Sequence, residues 1–107
     1  MFYATENKGF QITFANGYSI SCQFGGSNYC ERYHRHLEPD YEYQEEMKTP
    51  IVKSHDCEVA IWDKSDNWIT GTVMDAVGID PTEDAVQANV TPDEVARIIS
   101  YLVAMKA

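Results

Sequence analysis

The sequence predicts an α+β fold: an antiparallel sheet of about four strands, built as two hairpins, with a C-terminal helix packed on one face. Three observations predict it. Residues 10–24 alternate apolar and polar side chains around the turn "ANG". The tract "CEVAIWDKSDNWITGTV" repeats such an alternation less regularly. The tract "VTPDEVARIISYLVAMKA" carries a helix-start signal followed by an apolar stripe.

In the first hairpin, Phe10, Ile12 and Phe14 alternate with Gln11 and Thr13, and Tyr18, Ile20, Cys22 and Phe24 alternate with Ser19, Ser21 and Gln23. Period-two patterns of this kind mark half-buried strands. A two-residue Asn-Gly turn would set Phe14 opposite Ser19 and Ile12 opposite Ser21, mixing apolar residues and serines on one face. A three-residue loop, Ala15-Asn16-Gly17, pairs Phe14 with Tyr18, Ile12 with Ile20 and Phe10 with Cys22 instead. Gly17 then stands at the left-handed position, which glycine reaches without a Cβ clash. The opposite face carries Gln11, Thr13, Ser19, Ser21 and Gln23 and is polar but uncharged.

The break "GGSN" ends that hairpin. Pro39 and Pro50 bracket a stretch with few aliphatic residues, so residues 38–50 are expected to form an exposed, acidic, Tyr-bearing loop, with a short helical turn before it near Glu31 to Leu37. In the second hairpin, pairing Ile61 with Ile69 sets Val59 and Ile61 on one face and Trp62 opposite Trp68 on the other, around a loop from Asp63 to Asn67. Gly71 and Gly78 are read as loop or bulge positions.

The final helix is the clearest element. Thr91 as N-cap, Pro92 at the first helical position and Glu94 two residues later form a capping box with a favoured proline. Asp93 and Glu94 suit the positive end of the helix dipole. Val95, Ile98, Ile99, Leu102 and Val103 recur at helical spacing and need an apolar surface to cover, which the hairpins supply.

A chain of 107 residues is expected to fold as one domain over residues 1–107. No apolar run approaches the roughly 20 residues of a membrane span. The N-terminal stretch has no basic segment followed by an apolar one, so no signal peptide is read there, and a cytoplasmic location is expected. Three cysteines, an odd number, fit reduced thiols.

Charge is the strongest functional signal. The net charge is −9. Residues 38–94 hold fifteen acids against Lys48, Lys53 and Lys64, whereas residues 1–37 are close to neutral. Direct nucleic-acid binding needs a basic footprint and is disfavoured. A protein partner with a basic surface is favoured, although acidic surfaces also simply keep small proteins soluble. Glu38, Asp40, Glu42, Glu45 and Glu46 are interleaved with Tyr41 and Tyr43, and tyrosine is enriched at interfaces. These residues, with Trp62 and Trp68, are the candidate partner-binding set. Asp75, Asp80, Glu83, Asp84, Asp93 and Glu94 form a second acidic cluster. Rows of carboxylates imitate nucleic-acid phosphates toward a basic groove and steer association.

Catalytic and metal chemistry is poorly supported. Cys30, His34, His36, His55 and Cys57 are zinc-ligand types, but their spacing matches no standard finger. The tract "DKSDNWITGTVM" has Trp68 where a calcium loop needs Gly and Met74 where it needs a bidentate Glu. "FGGSN" lacks the Lys-Ser/Thr of a phosphate loop. Cys30 with His34 or His36 is the only nucleophile–base candidate, and an ordinary cysteine is the plainer reading. The expectation is a non-enzymatic protein with no cofactor and no metal. A protein that sequesters a signalling nucleotide on the neutral sheet face, with Asn28, Tyr29 and the Gly25-Gly26 turn, is the rival reading; a zinc-stabilised domain is the third.

The run Phe10 to Ser21, then Gln23-Phe24-Gly25 and Asn28-Tyr29-Cys30, resembles a family of small, mostly uncharacterised proteins of tailed bacteriophages. The "EVAIWD…W" tract and the "TPDEVARII" helix are similar to the same family, and the likeness covers most of the chain except residues 31–54. No catalytic residues carry over from it. The resemblance implies a phage accessory protein acting in the host cell. Together with the charge, it implies an inhibitor of host defence, for which a CRISPR–Cas effector is the named candidate partner.

Overall fold

The computed structural model describes residues 1–5, 8–25, 44, 45, 48, 53–82 and 85–106. It is an α+β fold in which five antiparallel strands lie in chain order across one sheet. They are β1 (Phe2–Ala4), β2 (Gly9–Thr13), β3 (Ser19–Gln23), β4 (Cys57–Trp62) and β5 (Gln87–Val90). Helix α1 (Thr70–Val77) connects β4 to β5, and helix α2 (Pro92–Ala104) follows β5.

The first hairpin has the predicted register. Phe10 faces Cys22, Ile12 faces Ile20, and Phe14 N–H donates to Tyr18 O at 2.9 Å. Gly17 closes the three-residue turn at φ +91° and donates to Phe14 O. Continuing across the sheet, Cys22 faces Val59 and Ile20 faces Ile61. Rows of apolar side chains therefore run over β2, β3 and β4 on one face. Ile20, Cys22, Val59 and Ile61 are fully buried there, joined by Val73 and Met74 of α1 and by Ile98 and Leu102 of α2.

The second hairpin departs from expectation. Ile69 N–H donates to Ile61 O and Trp68 bridges Trp62, as predicted, but the return strand goes no further. Residues 70–77 form α1, where the hairpin tract was expected to run to Val73 with Gly71 at a loop or bulge position. The cause lies in Thr70. Its buried hydroxyl accepts from Ile61 N–H at 3.0 Å, replacing the backbone carbonyl that a continuing strand would have offered. Gly71 sits inside the helix, and Gly78 ends it in the left-handed conformation at φ +80°.

Two strands were not foreseen. Strand β1 is three residues long and wholly exposed, so it has no buried face to leave an alternating pattern. Strand β5 is short and irregular: its register against β4 shifts between Cys57 and Val59, and Asn89 takes φ +53°. Buried Gln87 replaces an apolar core residue there. Its side chain donates to Asp80 O at 2.9 Å and accepts from Thr82 N–H at 2.9 Å, tying the connection from α1 to the sheet.

Helix α2 begins as predicted. The Thr91 hydroxyl accepts from Glu94 N–H, and the Glu94 carboxylate accepts from Thr91 N–H at 3.0 Å. Its apolar stripe is buried at Ile98 and Leu102, but Val103 lies at the margin, 57% exposed. The C-terminal end is held from outside the helix. Asn16, at the tip of the first hairpin, donates through its amide to Leu102 O at 2.8 Å and to Met105 O at 2.9 Å. Unsatisfied carbonyls at a helix end need such partners, and the hairpin turn is thereby fastened to the helix.

Candidate functional site

The sheet face turned away from the helices carries Gln11, Thr13, Ser19, Ser21 and Gln23, as the alternation requires. The hydroxyls of Thr13 and Ser19, a cross-strand pair, lie 2.8 Å apart. Gln23 accepts from the Thr5 hydroxyl at 2.9 Å and donates to the Ser21 hydroxyl at 3.1 Å. These side chains thus bond one another, across strands at Thr13–Ser19 and within β3 at Gln23–Ser21, which stabilises the sheet. Ser19 is fully buried. Of the other residues in the ligand reading of this face, Asn28, Tyr29 and Gly26 lie outside the described residues.

Trp62 ends the same face. It stands opposite Ser19 in the sheet and stacks on Trp68, with ring centroids 6.0 Å apart and planes inclined by 28°. The separation is that of an offset aromatic pair. Trp68 is 57% exposed and Trp62 half-buried. The turn between them is tied by hydrogen bonds to one carboxylate. The Asp63 carboxylate accepts from Ser65 N–H at 2.9 Å, from Asn67 N–H at 3.0 Å and from the Asn67 amide at 3.1 Å. These donors, Asn67 foremost, hold the Asp63 carboxyl below its ordinary pKa. Asp66 adopts φ +63° at the exposed tip. The turn also carries Lys64, whose charge acts on Asp63, and the exposed indole faces are a setting in which a cationic side chain can gain.

Of the candidate partner-binding residues, the structure thus brings Trp62 and Trp68 together. Glu45 is exposed and forms an ion pair with Lys48 at 3.0 Å. Gln44 and Glu45 are helical, where an irregular loop was expected. Glu38, Asp40, Tyr41, Glu42, Tyr43 and Glu46 lie outside the described residues, as do Glu83 and Asp84 of the second acidic cluster. Asp75, Asp80 and Asp93 are exposed, and Glu94 is engaged in the capping box.

Of the suggested zinc ligands, Cys30, His34 and His36 lie outside the described residues, and His55 is exposed. Cys57 is buried in the core, diagonally across from Cys22 on β3. The neighbouring Cys22 thiol, burial and the nearby carboxylates of Asp56 and Glu58 push the Cys57 thiol well above its ordinary pKa, so it stays protonated. Among the described residues no three His, Cys, Asp or Glu side chains group as a metal site.

Asn16 is the structural residue that the sequence reading missed. The Asn-Gly turn drew attention to its backbone, while its side chain fastens a helix 86 residues away. Among the described residues no helix is long and apolar enough to cross a membrane. In comparisons with known proteins, no family model, no curated protein and no solved structure matches the chain.

Proposed function

We propose that the protein is a non-enzymatic inhibitor of phage type that docks onto a basic surface of a host defence or nucleic-acid-handling protein. The observation that carries this reading is the exposed Trp62–Trp68 stack on a hydrogen-bonded, aspartate-bearing turn. Tryptophan anchors dominate interface energetics when a partner covers them. A turn already fixed by the Asp63 hydrogen bonds loses little conformational entropy on binding. The net charge of −9 favours a cationic partner and speeds the encounter. A lysine or arginine that normally grips a nucleic-acid phosphate is the natural occupant, so the proposed partner is a protein with a nucleic-acid groove, a CRISPR–Cas effector foremost.

The test is phage plating on bacteria that carry an active CRISPR–Cas system against that phage, with and without the protein. Expression should restore plating. Combined charge reversal at Glu42, Glu45 and Glu46, and separately Trp68→Ala, should abolish the restoration while the purified variants keep wild-type circular dichroism. Restoration that survives both changes would exclude the acidic segment and the tryptophan pair as the interface.

A further inference from the structure

A second feature lies at the opposite end of the sheet from the tryptophan pair. A cavity of about 330 Å³ opens between β2, β3 and β4 on one side and the first turn of α2 on the other. Phe10, Phe24, Val90 and Val95 line it, together with Cys22 and Cys57. Lys53, Ser54 and Asp56 stand at its polar margin, where the Ser54 hydroxyl donates to Asp56 O at 2.7 Å and Asp56 accepts from the Asn89 amide at 3.0 Å.

We propose that this cavity is a binding site for a small, uncharged aromatic molecule. Its volume corresponds to roughly ten water volumes, at the lower end of the range for ligand pockets. That admits a bicyclic ring system of roughly ten non-hydrogen atoms and excludes a nucleotide. The lining selects an aromatic ring. Phe10 and Phe24 are among the lining residues and offer aromatic partners to it. Lys53 and Asp56 stand at the margin with opposite charges, so the rim favours neither sign of ligand charge, and an anion would lose its hydration against the apolar lining. A cation would leave water for a predominantly apolar enclosure and lose its hydration. The site is independent of the tryptophan turn, so the two readings stand or fall separately.

The experiment titrates the intact protein with indole, followed by NMR of the Val90 and Val95 methyl groups and the Phe10 and Phe24 rings. The expected result is saturable shifts at these residues with a dissociation constant on the order of 0.1–1 mM, as befits a ligand of this size. Indole-3-carboxylate should bind at least about tenfold more weakly because of its charge. Val95→Trp, which fills the cavity, should weaken indole binding by about tenfold or more. Wild-type protein supplies a readout that needs no variant: saturating indole should give intermolecular nuclear Overhauser contacts to the Val90 and Val95 methyl groups. Shifts that fail to saturate, equal binding of the carboxylate, undiminished binding by folded Val95→Trp, or contacts confined to residues outside the cavity would each overturn the proposal.

Discussion

At Gly9, where β2 begins, the backbone of β3 runs so close that an added Cβ would lie 1.9 Å from the Cys22 carbonyl oxygen, and φ is +153°. Neither the neighbouring strand nor the backbone conformation accommodates a side chain. Gly9→Ala should therefore cost about 3 kcal/mol, the upper range of overpacking effects, measured as a lower urea midpoint with an unchanged slope. Asn16 acts through its side chain. Asn16→Ala removes two donors from the carbonyls of Leu102 and Met105 and should cost roughly 1–2 kcal/mol. Asp63 governs the tryptophan turn through pH. Its folded pKa lies below the unfolded value, so the contribution to stability is fully present above the unfolded pKa and fades as pH falls through the folded one. NMR titration should place the Asp63 carboxyl midpoint below the ordinary aspartate range. The amides of Ser65 and Asn67 should lose their hydrogen-bonded shifts over the same interval, and in Asp63→Ala they should lack those shifts at neutral pH.

At the scale of elements, helix α2 makes the simplest test of a local signal. Thr91→Ala removes the hydroxyl that accepts from Glu94 N–H and should lower stability by about 1 kcal/mol, read from the same urea titration. This helix and the first hairpin were legible in the sequence because each rests on short-range chemistry. The capping box is complete within four residues, and the Phe10–Cys22 and Ile12–Ile20 pairing follows from side-chain alternation once Gly17 is given the left-handed position. The elements that escaped reading depend on contacts made at a distance. Helix α1 displaces a predicted strand because the Thr70 hydroxyl substitutes for a strand carbonyl at Ile61, a replacement invisible to a periodicity argument. Strand β1 has no buried face, and β5 places Gln87 where an apolar residue would have announced a strand. The candidate site divides in the same way. The Trp62–Trp68 opposition followed from pairing Ile61 with Ile69, whereas the cavity gathers residues from β2, β3, β4, β5 and α2 that no single tract contains.

At the scale of the whole molecule, the proposed function assigns the net charge of −9 to encounter and the tryptophan turn to anchoring. Their effects on binding separate experimentally, because screening weakens the long-range field much more than contacts buried under a partner. Trp68→Ala should slow neither folding nor encounter but should raise the dissociation rate, at a cost of about 2 kcal/mol in affinity, as for a central interface anchor. Charge reversal at Glu42, Glu45 and Glu46 should act mainly on the association rate. The most direct measurement is binding of wild-type protein and Trp68→Ala to a purified CRISPR–Cas effector, followed by surface plasmon resonance from about 0.05 M to about 0.3 M salt, across which the Debye length roughly halves. The account predicts a wild-type association rate that falls about tenfold or more over that range, and a faster dissociation for Trp68→Ala at every salt concentration. Association indifferent to salt, together with a dissociation rate unmoved by removal of the Trp68 indole, would contradict it.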